Sequence, residues 1–117
     1  GKRIVFSGDT SHFPPLATFS EGADILVHEA VHEPSVAKLA DSIGNGKTLA
    51  KAIASHHTTI EDVGKIANEA KVKKLILSHL VPITVPDETW KQEAQKNYSG
   101  PIVVGHENMT ITIPFAP

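Results

Sequence analysis

The sequence contains no cysteine, and among its 117 residues it has only one tryptophan, one tyrosine and one methionine. The absence of cysteine excludes a disulfide scaffold, a thiolate metal site and a cysteine nucleophile. Long apolar runs are also missing. Because a membrane-spanning helix needs about 20 consecutive apolar residues, no membrane span is predicted. An excess of one charge is missing too, since 11 Lys and Arg stand against 13 Asp and Glu. This balance gives no electrostatic case for nucleic acid as a bulk partner.

What the sequence does contain is the composition of one globular domain. Apolar residues make up 40% and charged residues 21%, which separates the chain from disordered and low-complexity sequences. The length suffices for one hydrophobic core but not for two domains. Because the chain opens at Gly1 without a methionine and enters a strand-like run at once, we expect residues 1–117 to be a single partial domain. Both a cytoplasmic and a periplasmic location stay open.

Short apolar runs separated by amphipathic segments predict an α/β layered arrangement. Continuous apolar runs indicate four strands covered on both faces, and a fifth run alternates as an edge strand does. A capping-box pattern formed by Thr58 and Glu61 marks the start of the clearest helix. The predicted strands are 3–7, 24–28, 74–79, 101–105 and 109–114, and the predicted helices are 35–42, 47–54, the segment after 59, and 87–97.

Side chains suited to acid–base or metal chemistry follow the first four apolar runs. If the strands are parallel, their carboxyl ends share one edge of the sheet, which is where open α/β sheets bind ligands. A pair of adjacent histidines before the clearest helix can reach the same edge. A set of Asp, Glu and His without Cys suits zinc, manganese or iron. The residues concerned are Asp9, His28, Glu29, His56, His57, His79 and His106.

Each of these positions also has a purely structural interpretation. Asp9 is able to close an Asx-turn after its strand, and His79 to be a satisfied buried histidine. His28 and Glu29 fit an internal polar pair, and the segment 106–108 fits a hairpin turn. The joint placement of these residues at predicted strand ends is harder to dismiss than any one of them.

Four short segments, in order along nearly the whole chain, resemble one known family. They are Ser7-Gly8-Asp9-Thr10, residues 22–30 with His28-Glu29-Ala30, His57-Thr58-Thr59, and residues 74–82 with Ser78-His79. Together they resemble the C-terminal half of metallo-β-lactamase-fold hydrolases, and most of all the ribonuclease Z and arylsulfatase-like branch. The resemblance implies half of an αββα sandwich, with a mixed sheet and covering helices.

The resemblance also implies roles for individual residues. Asp9 would bridge two divalent metal ions, with zinc the first choice and manganese or iron admissible, and His79 would bind the second ion. His57 would act near the leaving group as a catalytic residue, oriented by the catalytic partner Glu29. His28 and Thr59 would contact these residues and help to orient them, without binding metal or substrate themselves.

The sequence departs from the family pattern in two places, and the second of them determines the expected substrate. The first ligand motif of the family, His-x-His-x-Asp-His, is absent and is expected to lie before Gly1. The Ser-Arg-Tyr-like ending of ribonuclease Z is replaced by Leu80-Val81-Pro82-Ile83. The sequence therefore favours hydrolysis of a small ester, with sulfate ester, phosphodiester and lactone all admissible, and nucleic acid is not the favoured substrate. The alternatives are a tRNA 3′-processing endonuclease and a non-catalytic α/β binding half-domain, and a homo-oligomer is compatible with the sequence.

Overall fold

Strands and helices alternate along residues 1–113, which are the residues that this computed structural model describes. The strands are β1 (Ile4–Phe6), β2 (Ile25–Val31), β3 (Leu75–Val81) and β4 (Ile102–Val104). The helices are α1 (Pro15–Phe19), α2 (Glu33–Ala40), α3 (Gly46–His56), α4 (Ile60–Ala70) and α5 (Asp87–Gln95). In this range, no helix combines the length and apolarity needed to cross a membrane.

The four strands form one sheet in the order β1-β2-β3-β4, and each neighbouring pair is parallel. Val5 lies opposite Leu26, Leu26 opposite Leu75, and Leu75 opposite Ile102. Helices fill the connections, as parallel neighbours require. The predicted α/β layered fold is therefore confirmed, and the carboxyl ends of all four strands meet at one edge of the sheet.

The hydrophobic core lies between one face of this sheet and the helices α1, α4 and α5. Alternate strand residues such as Val5, Leu26 and Leu77 point into it, because successive side chains of a strand face opposite ways. Trp90 from α5 and Ile66 from α4 meet them there, each almost fully buried. Burying one such large apolar side chain stabilises the fold by about 1.5–3 kcal/mol.

Helix α4 owes its position to apolar residues at helical spacing and to a cap at its first turn. The hydroxyl oxygen of Thr59 accepts a hydrogen bond from the backbone N–H of Asp62 (3.3 Å). The predicted capping box of Thr58 with Glu61 is thus displaced by one residue. Thr59 has the extended backbone of a cap residue, and Thr58 does not cap the helix.

The second face of the sheet is only partly covered by the described residues. Ile4, Phe6, Val27 and Ile76 line a cleft of ≈ 690 Å³ on this side, and Phe6 is 70% exposed. The expectation that the strands are covered on both faces is therefore wrong for β1, whose Ile4 and Phe6 are exposed, whereas six of the seven residues of β2 are buried. A continuous apolar run indicates that a strand is buried in the complete fold, but it does not identify the element that packs against each face.

The fifth predicted strand does not form over residues 109–113, and Pro114 lies outside the described residues. A turn closes at His106, whose carbonyl accepts from the N–H of Met109 (3.1 Å), and Asn108 has a φ of +61°. Beyond it, Met109, Ile111 and Ile113 line the open cleft instead of pairing with β4. The described sheet is consequently parallel throughout, and the mixed sheet that we expected is not found in it.

Candidate functional site

The loop after β1 carries Asp9 to the edge of the sheet. Gly8 has a φ of +63°, a conformation that costs other residues about 1–2 kcal/mol, and it turns the chain there. No atom lies within 4 Å of a Cβ built on Gly8, so the glycine serves this backbone conformation. Oδ1 of Asp9 lies 2.9 Å from Nδ1 of His79, within ion-pair distance, and both side chains are more than half exposed.

His79 reaches Asp9 because β3 bulges at this residue. Glu29 of β2 pairs with Ser78 and Ala30 with Leu80, so His79 has no partner in the pairing. Its φ of +46° is uncommon for a residue other than glycine. A bulge re-aims a side chain, which explains why His79 is exposed within a strand that is otherwise largely covered. His79 therefore lies inside β3, which continues to Val81, and is not its last residue as the predicted strand 74–79 has it.

Glu29 and His57 form a second pair at the same edge. Oε1 of Glu29 accepts from Nδ1 of His57 (3.1 Å) and from the backbone N–H of Thr10 (2.9 Å). Glu29 is 1% exposed, and its Oε2 has no hydrogen-bond partner within residues 1–113. When the His57 ring is neutral, its one N–H proton lies on Nδ1, which donates to the carboxylate. Nε2 is then unprotonated and can accept a proton or bind a ligand.

The two pairs lie side by side. The ring centroids of His57 and His79 are 5.7 Å apart. One donor atom each from Glu29, His57 and His79 lie within 4.8 Å of one another, a spacing at which these three residues could hold a cation. Asp9 adds a carboxylate beside His79. Carboxylate and imidazole donors converging in this way fit a zinc, manganese or iron ion.

His28 is separated from this cluster although it is next to Glu29 in the chain. It points to the helix side of the sheet, between Leu26 and Ala30, and is fully buried. Its Nδ1 donates to the carbonyl of Glu29 (2.7 Å). Burial lowers the pKa of His28 below its ordinary value and so favours the neutral ring, against the opposing effect of that hydrogen bond. Any support from His28 therefore acts on the backbone of Glu29, and the supporting role itself stays a prediction.

The two threonines that follow His57 make different contacts from those that the sequence predicts. Thr59, which we predict to support the histidine, uses its hydroxyl to cap α4. The neighbouring Thr58 is fully buried, and its hydroxyl donates to the carbonyl of Thr10 (2.7 Å). Sequence reasoning missed Thr58 and Thr10, because no pattern signals a side-chain bond across 48 residues. His56 is the exposed last residue of α3.

His106 follows β4 at the same edge and lines the open cleft together with His79. Its Nε2 donates to Oδ2 of Asp87 (2.7 Å), and both side chains are more than half exposed. The segment 106–108 forms the turn that the sequence predicts, without the second strand of a hairpin.

Comparison with known proteins defines the class of this arrangement. No family model matches the chain. A crystal structure of the metallo-beta-lactamase fold protein YhfI from Bacillus subtilis superimposes with a TM-score of 0.64 and 27% identity, over 87% of this chain and 36% of that one. The described residues therefore form part of a metallo-β-lactamase fold, as the resemblance implies.

In sequence the chain is similar to ribonuclease Z. It is 30% identical to the ribonuclease Z of Myxococcus xanthus over 97% of this chain and 34% of that protein. It is also 30% identical to that of Mycobacterium tuberculosis over 92% of this chain and 38% of that protein. The chain thus spans about a third of the length of these curated relatives. They support the ribonuclease Z-like resemblance, whereas the arylsulfatase-like branch finds no support in them.

Proposed function

We propose that the chain is the C-terminal part of a metal-dependent hydrolase that cleaves phosphodiester bonds in RNA, with tRNA 3′ processing as its activity. The observation that carries the proposal is the pairing of His57 with Glu29 directly beside the pair of His79 with Asp9. The similarity to ribonuclease Z favours RNA over the small esters that the segment Leu80-Val81-Pro82-Ile83 suggests.

A larger domain is part of this proposal. The relatives are about three times as long as the chain, and an apolar sheet face with Phe6 70% exposed is suited to packing against another layer. That layer would form the second half of an αββα sandwich. It would also supply the further donors that a site for two ions needs besides Asp9 and His79.

Asp9 and His79 would hold the metal ions, because both side chains are exposed at the sheet edge, Asp9 on the loop after β1 and His79 within β3. When two divalent ions are bound at such a site, they activate water at neutral pH and stabilise charge on the attacking and leaving oxygens. Zinc is the first choice, and the donor set suits manganese or iron as well.

His57 is the residue that we assign to proton transfer. A leaving alkoxide needs a proton, and Nε2 of His57 is the ring nitrogen that Glu29 leaves available. Glu29 fixes the ring orientation, and as a buried carboxylate it stabilises the ring when it carries both protons. The backbone N–H of Thr10 donates to the same oxygen of Glu29, which further restrains rotation of the carboxylate.

The test is hydrolysis by the purified full-length protein loaded with zinc or manganese. We expect cleavage of a precursor tRNA at its 3′ trailer, and loss of that cleavage in His57→Ala but not in His56→Ala. Turnover of p-nitrophenyl sulfate or of a lactone without RNA cleavage would replace this proposal with the small-ester hydrolase. A protein that binds no metal and hydrolyses none of these substrates would be the non-catalytic half-domain.

A further inference from the structure

Thr58 connects two parts of the candidate site that are far apart in sequence. Its backbone carbonyl accepts from the N–H of Val31 (2.9 Å), which fixes it to the end of β2. Its hydroxyl donates in the opposite direction to the carbonyl of Thr10 (2.7 Å). The Thr58 side chain is fully buried, which limits the access of water to this hydrogen bond.

The hydrogen bonds of Thr58, Thr10, Glu29 and His57 form a closed ring. Thr10 and His57 both donate to the same oxygen, Oε1 of Glu29. Thr58 directly follows His57 in the chain, and its hydroxyl donates a hydrogen bond to the carbonyl of Thr10. The ring therefore sets the distance between the loop after β1 and the histidine that we assign to proton transfer.

Asp9 depends on this ring because it is the residue before Thr10. Its own side chain is 64% exposed and contacts His79, which is itself more than half exposed. Gly8, on the other side of Asp9, has the positive φ of a chain reversal and contributes no side chain. The half-buried backbone at Thr10 is thus the anchor of Asp9, held at its N–H by Glu29 and at its carbonyl by Thr58.

We propose that Thr58 is a positioning residue, whose hydroxyl holds Asp9 and His57 at the spacing that catalysis needs. This inference rests on the proposed function, since it assigns Asp9 to metal binding and His57 to proton transfer. Loss of a supporting hydrogen bond behind a metal ligand typically costs about 10–100-fold in metal affinity or activity.

The test replaces the hydroxyl of Thr58 in the full-length protein. Thr58→Val keeps the shape and removes the donor, whereas Thr58→Ser keeps the donor. We expect Thr58→Val to lower kcat about 10–100-fold at nearly constant KM, and to weaken zinc binding in competition with a chromophoric chelator. Thr58→Ser should restore both to near the wild-type values. Hydrogen exchange of the Thr10 amide should be about ten-fold faster in Thr58→Val, and that of the Leu26 amide unchanged.

Tyr98→Phe is the matched control. It removes another buried hydroxyl that donates to a backbone carbonyl, that of Val72 (2.8 Å), just before the amino end of β3 and therefore away from the site. Its kcat and zinc affinity should equal those of the wild type. If Tyr98→Phe lowers kcat as much as Thr58→Val does, the loss reflects general destabilisation, and the positioning role is wrong.

Two further outcomes would overturn the inference. One is a Thr58→Val variant with wild-type kcat, zinc affinity and Thr10 exchange in a protein that is itself active. The other is a loss in Thr58→Val that Thr58→Ala, which also lacks the hydroxyl, does not share, because the effect would then come from packing. By contrast, a wild-type protein without zinc binding or hydrolysis would refute the proposed function, and the two failures are therefore distinguishable.

Discussion

The pair of His57 and Glu29 makes the sharpest prediction about chemistry. A positioned general acid contributes about 10²–10⁴-fold to a rate, so His57→Ala should lower kcat by that factor. A hydrogen bond to a charged group is worth about 1.5–3 kcal/mol, and each 1.36 kcal/mol is tenfold in rate. Glu29→Gln, which removes the charge behind the 3.1 Å contact, should therefore lower kcat about 10–150-fold.

The assay is a double-mutant cycle on kcat with metal content measured in every variant. If Glu29 acts through His57, then Glu29→Gln has no further effect on the proton-transfer step once His57 is alanine. Metal content should be nearly unchanged in His57→Ala, because we assign the ions to Asp9 and His79. His56→Ala is the matched control, since its ring is exposed at the end of α3, and its effect should be mild.

Two results would refute this reasoning. Independent, multiplying losses in the double variant would mean that Glu29 does not act through His57. Loss of metal in His57→Ala would mean that His57 is a ligand in the cluster with Glu29 and His79, whose donor atoms lie within 4.8 Å of one another.

Three other predictions concern stability and completeness. Burial in the folded state lowers the pKa of His28 below its ordinary value of 6.5, so the unfolded chain binds the proton more readily. The melting temperature should therefore fall as the pH drops below about 6.5, and it should fall less in His28→Gln. Equal slopes in the two proteins would contradict the assignment. Gly8→Ala should lower the free energy of unfolding by about 1–2 kcal/mol in urea titrations, because alanine is strained at a φ of +63°, and an unchanged midpoint would argue against that loop conformation. The 117-residue segment alone should bind zinc weakly and hydrolyse nothing, which tight binding of two zinc ions would disprove.

Much of the sheet edge could be predicted because parallel strands obey a strict geometry. Apolar triplets mark where strands lie, and whatever follows them must collect at one edge. This alone places Asp9 and His79 near each other, and the structure brings them to 2.9 Å. Helix α4 was equally predictable from its spacing of apolar residues, since that periodicity belongs to the helix itself.

The remaining features depend on contacts that no local pattern encodes. The bulge at His79 arises from the pairing of β3 with β2, so the sequence ends the predicted strand at this histidine and does not continue it to Val81. The choice of Thr59 over Thr58 as the cap depends on the bond of Thr58 to Thr10, 48 residues away. Residues 109–113 alternate as a strand does, yet they lie along the open cleft, because periodicity does not specify a partner.

The most direct test of the central claim is the metal content of the full-length protein with Asp9→Asn. Asparagine has nearly the shape of aspartate and makes the same Asx-turn, so a residue that merely closes a turn would tolerate it. A carboxylate that bridges two cations cannot be replaced in this way, because the bridge needs its charge. We predict two metal ions per chain in the wild type and one or fewer in Asp9→Asn, with unchanged circular dichroism. Two bound ions in Asp9→Asn would contradict the account.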